Sequence, residues 1–168
     1  MASPIYLLWT RQIILDATPE RAWPYLIDFT AWQNYPIAEH ISGSRGAEGE
    51  VVQLKKDETG FSFPPYFART CILDPPHRVV WKTYPTEGPE AQSFMGIVDF
   101  SMQAVGDGAR LSLQLFYEMN PAEDVADVRA FREDYYRNTS EMFDAVLPRL
   151  QRLVRGESAE ERTELQSR

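Results

Sequence analysis

The stretch Leu15-Asp16-Ala17-Thr18-Pro19-Glu20-Arg21-Ala22-Trp23-Pro24-Tyr25-Leu26-Ile27-Asp28 constrains this chain most, because it turns a strand straight into a short helix. The apolar strand ends at Ala17. Thr18 then stands as N-cap, placed to accept a hydrogen bond from an orphan amide, and Pro19 takes the first helical position, where its missing N–H costs nothing. Glu20 suits the positive helix end. The helix is expected over residues 19–27, with Pro24 removing an amide bond and kinking or shortening it. Upstream, residues 5–15 alternate Trp9, Arg11, Ile13 and Leu15 against Leu8, Thr10, Gln12 and Ile14, a strand with one face better buried than the other. Downstream, a second helical turn at residues 31–34 is stopped by Tyr35-Pro36, since a residue before proline avoids the helical region.

Strands are then expected at residues 40–45, 50–57, 66–73, 78–84, 93–104 and 109–119. Turn-forming segments such as Asp74-Pro75-Pro76-His77 and Gly106-Asp107-Gly108 separate them, and the short connections make an antiparallel meander. In the last pair Val98, Phe100 and Met102 alternate with Asp99, Ser101 and Gln103, and Leu111, Leu113, Leu115 and Tyr117 with Ser112, Gln114, Phe116 and Glu118. One face is therefore apolar and the other wet. The facing of residues 66–73 stays open, because Thr70 and Ile72 compete with Cys71 and Leu73 for the inner side. A final helix begins with Asn120 as N-cap, Pro121 and Glu123 and stops at Gly156. Its stripe of Val128, Phe131, Tyr135, Thr139, Met142, Phe143, Val146, Leu150 and Leu153 must lie on the sheet, with Pro148 bending the last turns. One domain over residues 1–156 and a charged, disordered tail over 157–168 are expected.

The opening pattern of apolar strand, Ala, Pro-Glu, Trp23-x-x-Leu26-x-Asp28 and then Trp32 resembles that of START-like, helix-grip domains of the SRPBCC superfamily, in its polyketide cyclase/dehydrase-like branch. Asp74-Pro75-Pro76-His77-Arg78-Val79-Val80-Trp81 resembles the Asp-Pro-Pro-x-Arg-x-x-Trp hairpin common there. Gly106-Asp107-Gly108-Ala109-Arg110-Leu111 is similar to its later hairpin, with Ala109 where threonine is frequent. The resemblance spans residues 5–155 and implies an α+β helix-grip fold. In that fold a curved antiparallel sheet of about seven strands wraps a long C-terminal helix, with two short helices after the first strand. It also implies a pocket for apolar or aromatic molecules between sheet and helix.

Composition fits one soluble domain: 168 residues, 43% hydrophobic and 25% charged, with no apolar run near the length a membrane span needs. Pro4-Ile5-Tyr6-Leu7-Leu8-Trp9 reads as strand rather than signal peptide, which leaves the cytoplasm as the default address. A net charge of −8 argues against nucleic acid or anionic membranes as partners, and homodimer formation is left open. Cys71 is expected to be a small buried hydrophobe. His40 and His77 lack metal-ligand spacing, and no metal or other cofactor is expected.

Continuing the alternation inward from three strands and the helix gives Trp81, Thr83, Phe94, Gly96, Val98, Leu115, Tyr117, Tyr135, Thr139 and Phe143 as cavity-lining candidates. The same residues would also fill a solid core. Gly96 leaves room for another group. Residues 59–67, with Phe61, Phe63 and Tyr66, are more aromatic than a solvated hairpin tip tolerates. They would form a lid at the pocket mouth, dock a partner, or fold back on Trp32 and Tyr35 as a satellite core. Arg11, facing inward, must pair with a carboxylate or meet a polar substrate group. Asp99 faces outward.

Arg11, Tyr117 and Tyr135 are the candidates for orienting a substrate. No Ser-His-Asp set, phosphate loop or dinucleotide fingerprint occurs. The resemblance therefore implies binding of a small, largely apolar ligand, with aldol cyclisation and dehydration of a polyketide as its enzymatic form. A lipid or quinone carrier and a chaperone-activator-like interaction module using the aromatic loop are the alternatives.

Overall fold

A computed structural model describes residues 5–28, 37–55, 66–84, 95–118 and 125–157. Strand β1 (Ile5–Leu15) leads into helix α1 (Pro19–Ile27), followed by β2 (Ile37–Ser42), β3 (Val51–Lys55), β4 (Tyr66–Asp74), β5 (Arg78–Tyr84), β6 (Met95–Val105) and β7 (Gly108–Glu118). Helix α2 (Val125–Val154) closes the described chain. The seven strands form one sheet in the order β1-β7-β6-β5-β4-β3-β2, every described pairing antiparallel. This is a helix-grip α+β fold. The expected turn at 31–34 and the expected start of the last helix at Asn120 lie outside the described residues.

At the start of α1 the cap differs from expectation. Thr18 is the extended N-cap residue, yet its side chain accepts no amide. Its main-chain carbonyl instead takes the N–H groups of Arg21 and Ala22 at 3.1 and 2.9 Å. The Glu20 carboxylate accepts from its own backbone N–H and from the Thr18 side chain, which holds its carboxyl below the usual glutamate range. Pro24 is exposed and the helix continues past it to Ile27, burying Ala22, Trp23 and Leu26.

Two further differences come from the ladders. Strand β2 lies at Ile37–Ser42 rather than 40–45, ended by Gly43, whose φ is +81° and whose carbonyl sits 2.8 Å from His40 Nε2. In β4 a bulge between Thr70 and Ile72 leaves Cys71 without a partner in the β4–β5 ladder. That explains why residues 66–73 match neither alternation: Thr70 opposes Trp81, whereas after the bulge Leu73 opposes Val79, and both of those β5 residues face the core. Cys71 is consequently half-buried rather than buried.

The β6–β7 hairpin turns at Gly106-Asp107, with Gly106 at φ +57° and Asp107 not positive, as a type II′ turn requires. Next to it Gly108 has no room for a side chain, since a Cβ would stand 2.6 Å from the Leu15 carbonyl oxygen. Helix α2 runs through the exposed Pro148 and ends as expected at Gly156, φ +79°. Glu157 N–H donates to Arg152 O and Gly156 N–H to Leu153 O, the two bonds of a Schellman cap.

Candidate functional site

Directly opposed residues in an antiparallel sheet share a face, so the pairings define rows across the concave side. The row nearest the middle runs Trp9, Leu115, Val98, Trp81 and Thr70, and the next toward the hairpin end contains Phe100 and Val79. Against these rows α2 buries Thr139, Met142, Phe143, Val146, Leu147 and Leu150. The rings interlock edge to face: Trp9 with Phe143 at 5.3 Å, Phe143 with Phe100 at 6.1 Å, and Phe100 with Trp81 at 5.3 Å. Trp9 Nε1 donates to Thr139 Oγ1 at 3.0 Å, so the layer is fixed by a buried hydrogen bond as well as by packing. Trp81, Val98, Leu115 and Phe143, expected as cavity lining, belong to this packed core, and Thr139 bonds into it.

Beyond the layer, away from the hairpins, the next row reads Tyr6, Tyr117, Gly96, Thr83, Ala68, Val52 and His40 on seven consecutive strands. Between Tyr117 and His40 its side chains are small. Tyr117 is 1% exposed, Gly96 and Ala68 are buried, and Thr83 Oγ1 donates to the Gly96 carbonyl at 3.1 Å. Tyr6, at the edge, is 42% exposed.

Helix α2 runs parallel to β1, because Thr139 meets Trp9 and Gln151 meets Ile14. The first half of the helix therefore extends toward this small-residue row. Tyr135 lies in that half, but its side chain is outside the described set, as are those of Val128, Phe131 and Tyr66. Trp32, Tyr35, Phe61, Phe63 and Phe94 lie outside the described residues altogether.

Arg11 faces the helix side of β1 and is engaged by its own chain. Its Nε donates to Asp144 Oδ1 at 2.9 Å, Nη2 to Ser140 Oγ at 2.5 Å, and Nη1 to the Thr10 carbonyl at 3.2 Å. The guanidinium also lies 5.3 Å from the Trp9 ring centre. The hydrogen bond and the charge of Asp144 raise the Arg11 pKa above its ordinary value. An open groove of about 470 Å³ runs beside it, lined by Gln12, Ile14, Asp144, Leu147, Pro148 and Gln151 among others. Asp99, on the convex face, pairs with Arg78 at 2.7 Å. Among the described residues no group of His, Cys, Asp and Glu is arranged to hold a metal ion.

The sequence profile of the family described as polyketide cyclase / dehydrase and lipid transport matches residues 9–154. The chain belongs to this family. Its members' fold recurs in solved structures of low sequence identity. A protein of unknown function from Staphylococcus aureus superposes with a TM-score of 0.66 at 8% identity, covering 92% of this chain and 96% of its own. Ara h 8.0201 superposes with a TM-score of 0.60 at 10% identity, covering 92% and 100%. A Chromobacterium violaceum protein superposes with a TM-score of 0.57 at 17% identity, covering 86% and 96%. These identities show the fold alone. No curated protein matches the chain in sequence. For this polyketide cyclase/dehydrase and lipid transport family member, no described helix is long and apolar enough to cross a membrane.

The polar straps between β1 and α2 join residues far apart in sequence. Asp144, Ser140 and Gln151 sit more than 125 residues from Arg11 and Ile14, and only the helix register reveals their positions. Their signal was weak but present: Ser140 and Asp144 are four apart on one helix face, adjacent to the apolar stripe.

Proposed function

We propose that the protein binds a small, largely apolar, aromatic or polycyclic molecule in the cleft between the Tyr117–Gly96–Thr83–Ala68 row and the first half of α2. One observation carries the reading: the concave face is filled by four interlocked rings across two adjacent rows, whereas the row beyond carries Gly96, Thr83 and Ala68 beside Tyr117. Glycine, alanine and threonine bring little bulk into the space between sheet and helix, which favours a ligand there. Family membership supports the same reading, since the family's description covers both cyclisation and lipid transport. Binding is the better supported half. Arg11 spends its donors on Asp144, Ser140 and Thr10, so of the three candidate orienting groups Tyr117 is the one whose side chain is described on the small-residue row.

The test uses the neutral fluorophore prodan (6-propionyl-2-dimethylaminonaphthalene) with the wild-type chain and with Gly96→Phe. Wild type should bind the dye with a blue shift, and the variant should lose affinity by at least about tenfold while still unfolding cooperatively. In a solid core the added ring would instead cost about 1–3 kcal/mol of stability by overpacking. Unchanged dye affinity in a folded Gly96→Phe protein would place the site elsewhere.

A further inference from the structure

The concave face carries little charge, and its distribution narrows the ligand. Resting on the cleft proposed above, we infer that the site selects a molecule that is neutral where it is buried and discriminates against an anionic lipid such as a fatty acid carboxylate.

From β7 to β3, every described residue of the concave rows is uncharged: Tyr117, Leu115 and Leu113; Gly96, Val98 and Phe100; Thr83, Trp81 and Val79; Ala68 and Thr70; Val52 and Leu54. Apart from the Tyr117 phenol, the described ionisable groups on that face are at its two edges. His40, on β2, has its ring nitrogen against the Gly43 carbonyl. Arg11, on β1, is the one permanent cation of the described concave face, and Asp144 neutralises it at 2.9 Å while Ser140 holds its far end. It has no free donor pair left to meet a carboxylate in the bidentate manner that makes arginine a good anion receptor.

Among the described side chains of its first half, the helix adds no buried cation either. Between Arg129 and Arg137 every charged residue, Arg129, Arg132, Glu133, Asp134 and Arg137, is exposed, and the remaining positions there are Ala130, Phe131, Tyr135 and Tyr136. A carboxylate drawn into this cleft would lose its hydration and gain no counter-charge, whereas a hydroxyl, ketone or ester needs only one hydrogen bond. The acidic net charge of −8 further lowers the local concentration of anions.

A matched pair of probes tests this: 11-(dansylamino)undecanoic acid and its methyl ester, alike except for the carboxylate. Wild type should bind the ester at least about tenfold more tightly than the acid near neutral pH. Two variants separate charge from the ester's greater hydrophobicity. Thr83→Arg places a cation in the row, and Tyr6→Arg places one at its exposed end, where folding is not at stake. In either folded variant the acid-to-ester affinity ratio should rise by about tenfold or more. Equal binding of acid and ester to wild type overturns the inference and leaves the cleft standing. So does a ratio that neither arginine moves. Failure of both probes, with prodan affinity also indifferent to Gly96→Phe, removes the cleft and this inference together.

Discussion

Gln151 meets Ile14 as a neighbouring strand would. Its Nε2 donates to the Ile14 carbonyl at 2.9 Å while its Oε1 accepts the Asp16 N–H at 3.2 Å, so one side-chain amide supplies a donor and an acceptor to the free edge of β1. Edge strands expose backbone groups that invite pairing with another chain, and β1 is such an edge with Ile5, Leu7 and Ile14 more than half exposed. Arg11 covers the Thr10 carbonyl of the same edge, and Arg155 ties Asp16 at 2.5 Å. The helix thus covers the Thr10–Asp16 stretch of this edge.

Gln151→Ala should accordingly lower stability by about 0.5–1.5 kcal/mol, the net worth of an ordinary hydrogen bond, since both backbone groups regain water. Hydrogen exchange of the Asp16 amide should accelerate, and light scattering should show more concentration-dependent self-association than in wild type. Wild-type exchange at Asp16 would refute the covering role.

The depressed Glu20 carboxyl predicts a pH effect whose sign can be worked out. The group's folded pKa is below its unfolded value, so the stability it contributes is present above the ordinary glutamate range and is lost as pH falls through the folded value. The carboxylate is solvent-exposed, which keeps the effect small. Melting temperatures of wild type and Glu20→Gln should therefore differ most near about pH 6 and converge toward about pH 3. A gap that stays constant over that range would mean that the two hydrogen bonds to the carboxylate do not set its pKa.

Much of the fold is legible in the sequence for identifiable reasons. Alternation marks the strands because one face of the sheet is covered and the other is wet, and β1 spans Ile5–Leu15 as the pattern predicts. Gly156 marks the helix stop because only a left-handed residue completes that cap. What escapes the sequence is whatever needs a count of residues in space. A bulge at Cys71 adds one residue to β4 and reverses the alternation after it, which no periodicity argument detects. Thr18 has the identity of a capping residue, yet its side chain pairs with the Glu20 carboxylate. The lining candidates divide for the same reason. Alternation places Trp81, Val98, Gly96 and Thr83 on one face, but it does not say which level the helix fills.

Gly108 offers a separate test of the hairpin that ends the sheet. A Cβ there would stand 2.6 Å from the Leu15 carbonyl, so Gly108→Ala must push β7 away from the end of β1 and should cost about 1–3 kcal/mol by overpacking. Gly46→Ala is the control. Its Cβ would meet nothing within 4 Å, but its φ of +68° costs an L-residue about 1–2 kcal/mol, a purely local strain. Exchange at Leu15 and its neighbours should rise in the first variant and stay at wild-type values in the second.

Phe143→Ala distinguishes the packed layer from the proposed cleft. Phe143 is 3% exposed and touches Trp9 and Phe100 edge to face, so its removal should cost about 3–5 kcal/mol and leave a cavity beneath the small-residue row. If the cleft lies at the Gly96 level, prodan affinity in the folded fraction should stay within a few-fold of wild type or increase as the ligand gains depth. Thr139→Val makes the same point with less disruption, because it strands the Trp9 indole N–H and should cost about 1–3 kcal/mol without changing the cleft's lining. Loss of dye binding in both variants, with their folds intact by near-ultraviolet circular dichroism, would move the binding site down into the aromatic layer and make Phe143 a ligand contact instead of its floor.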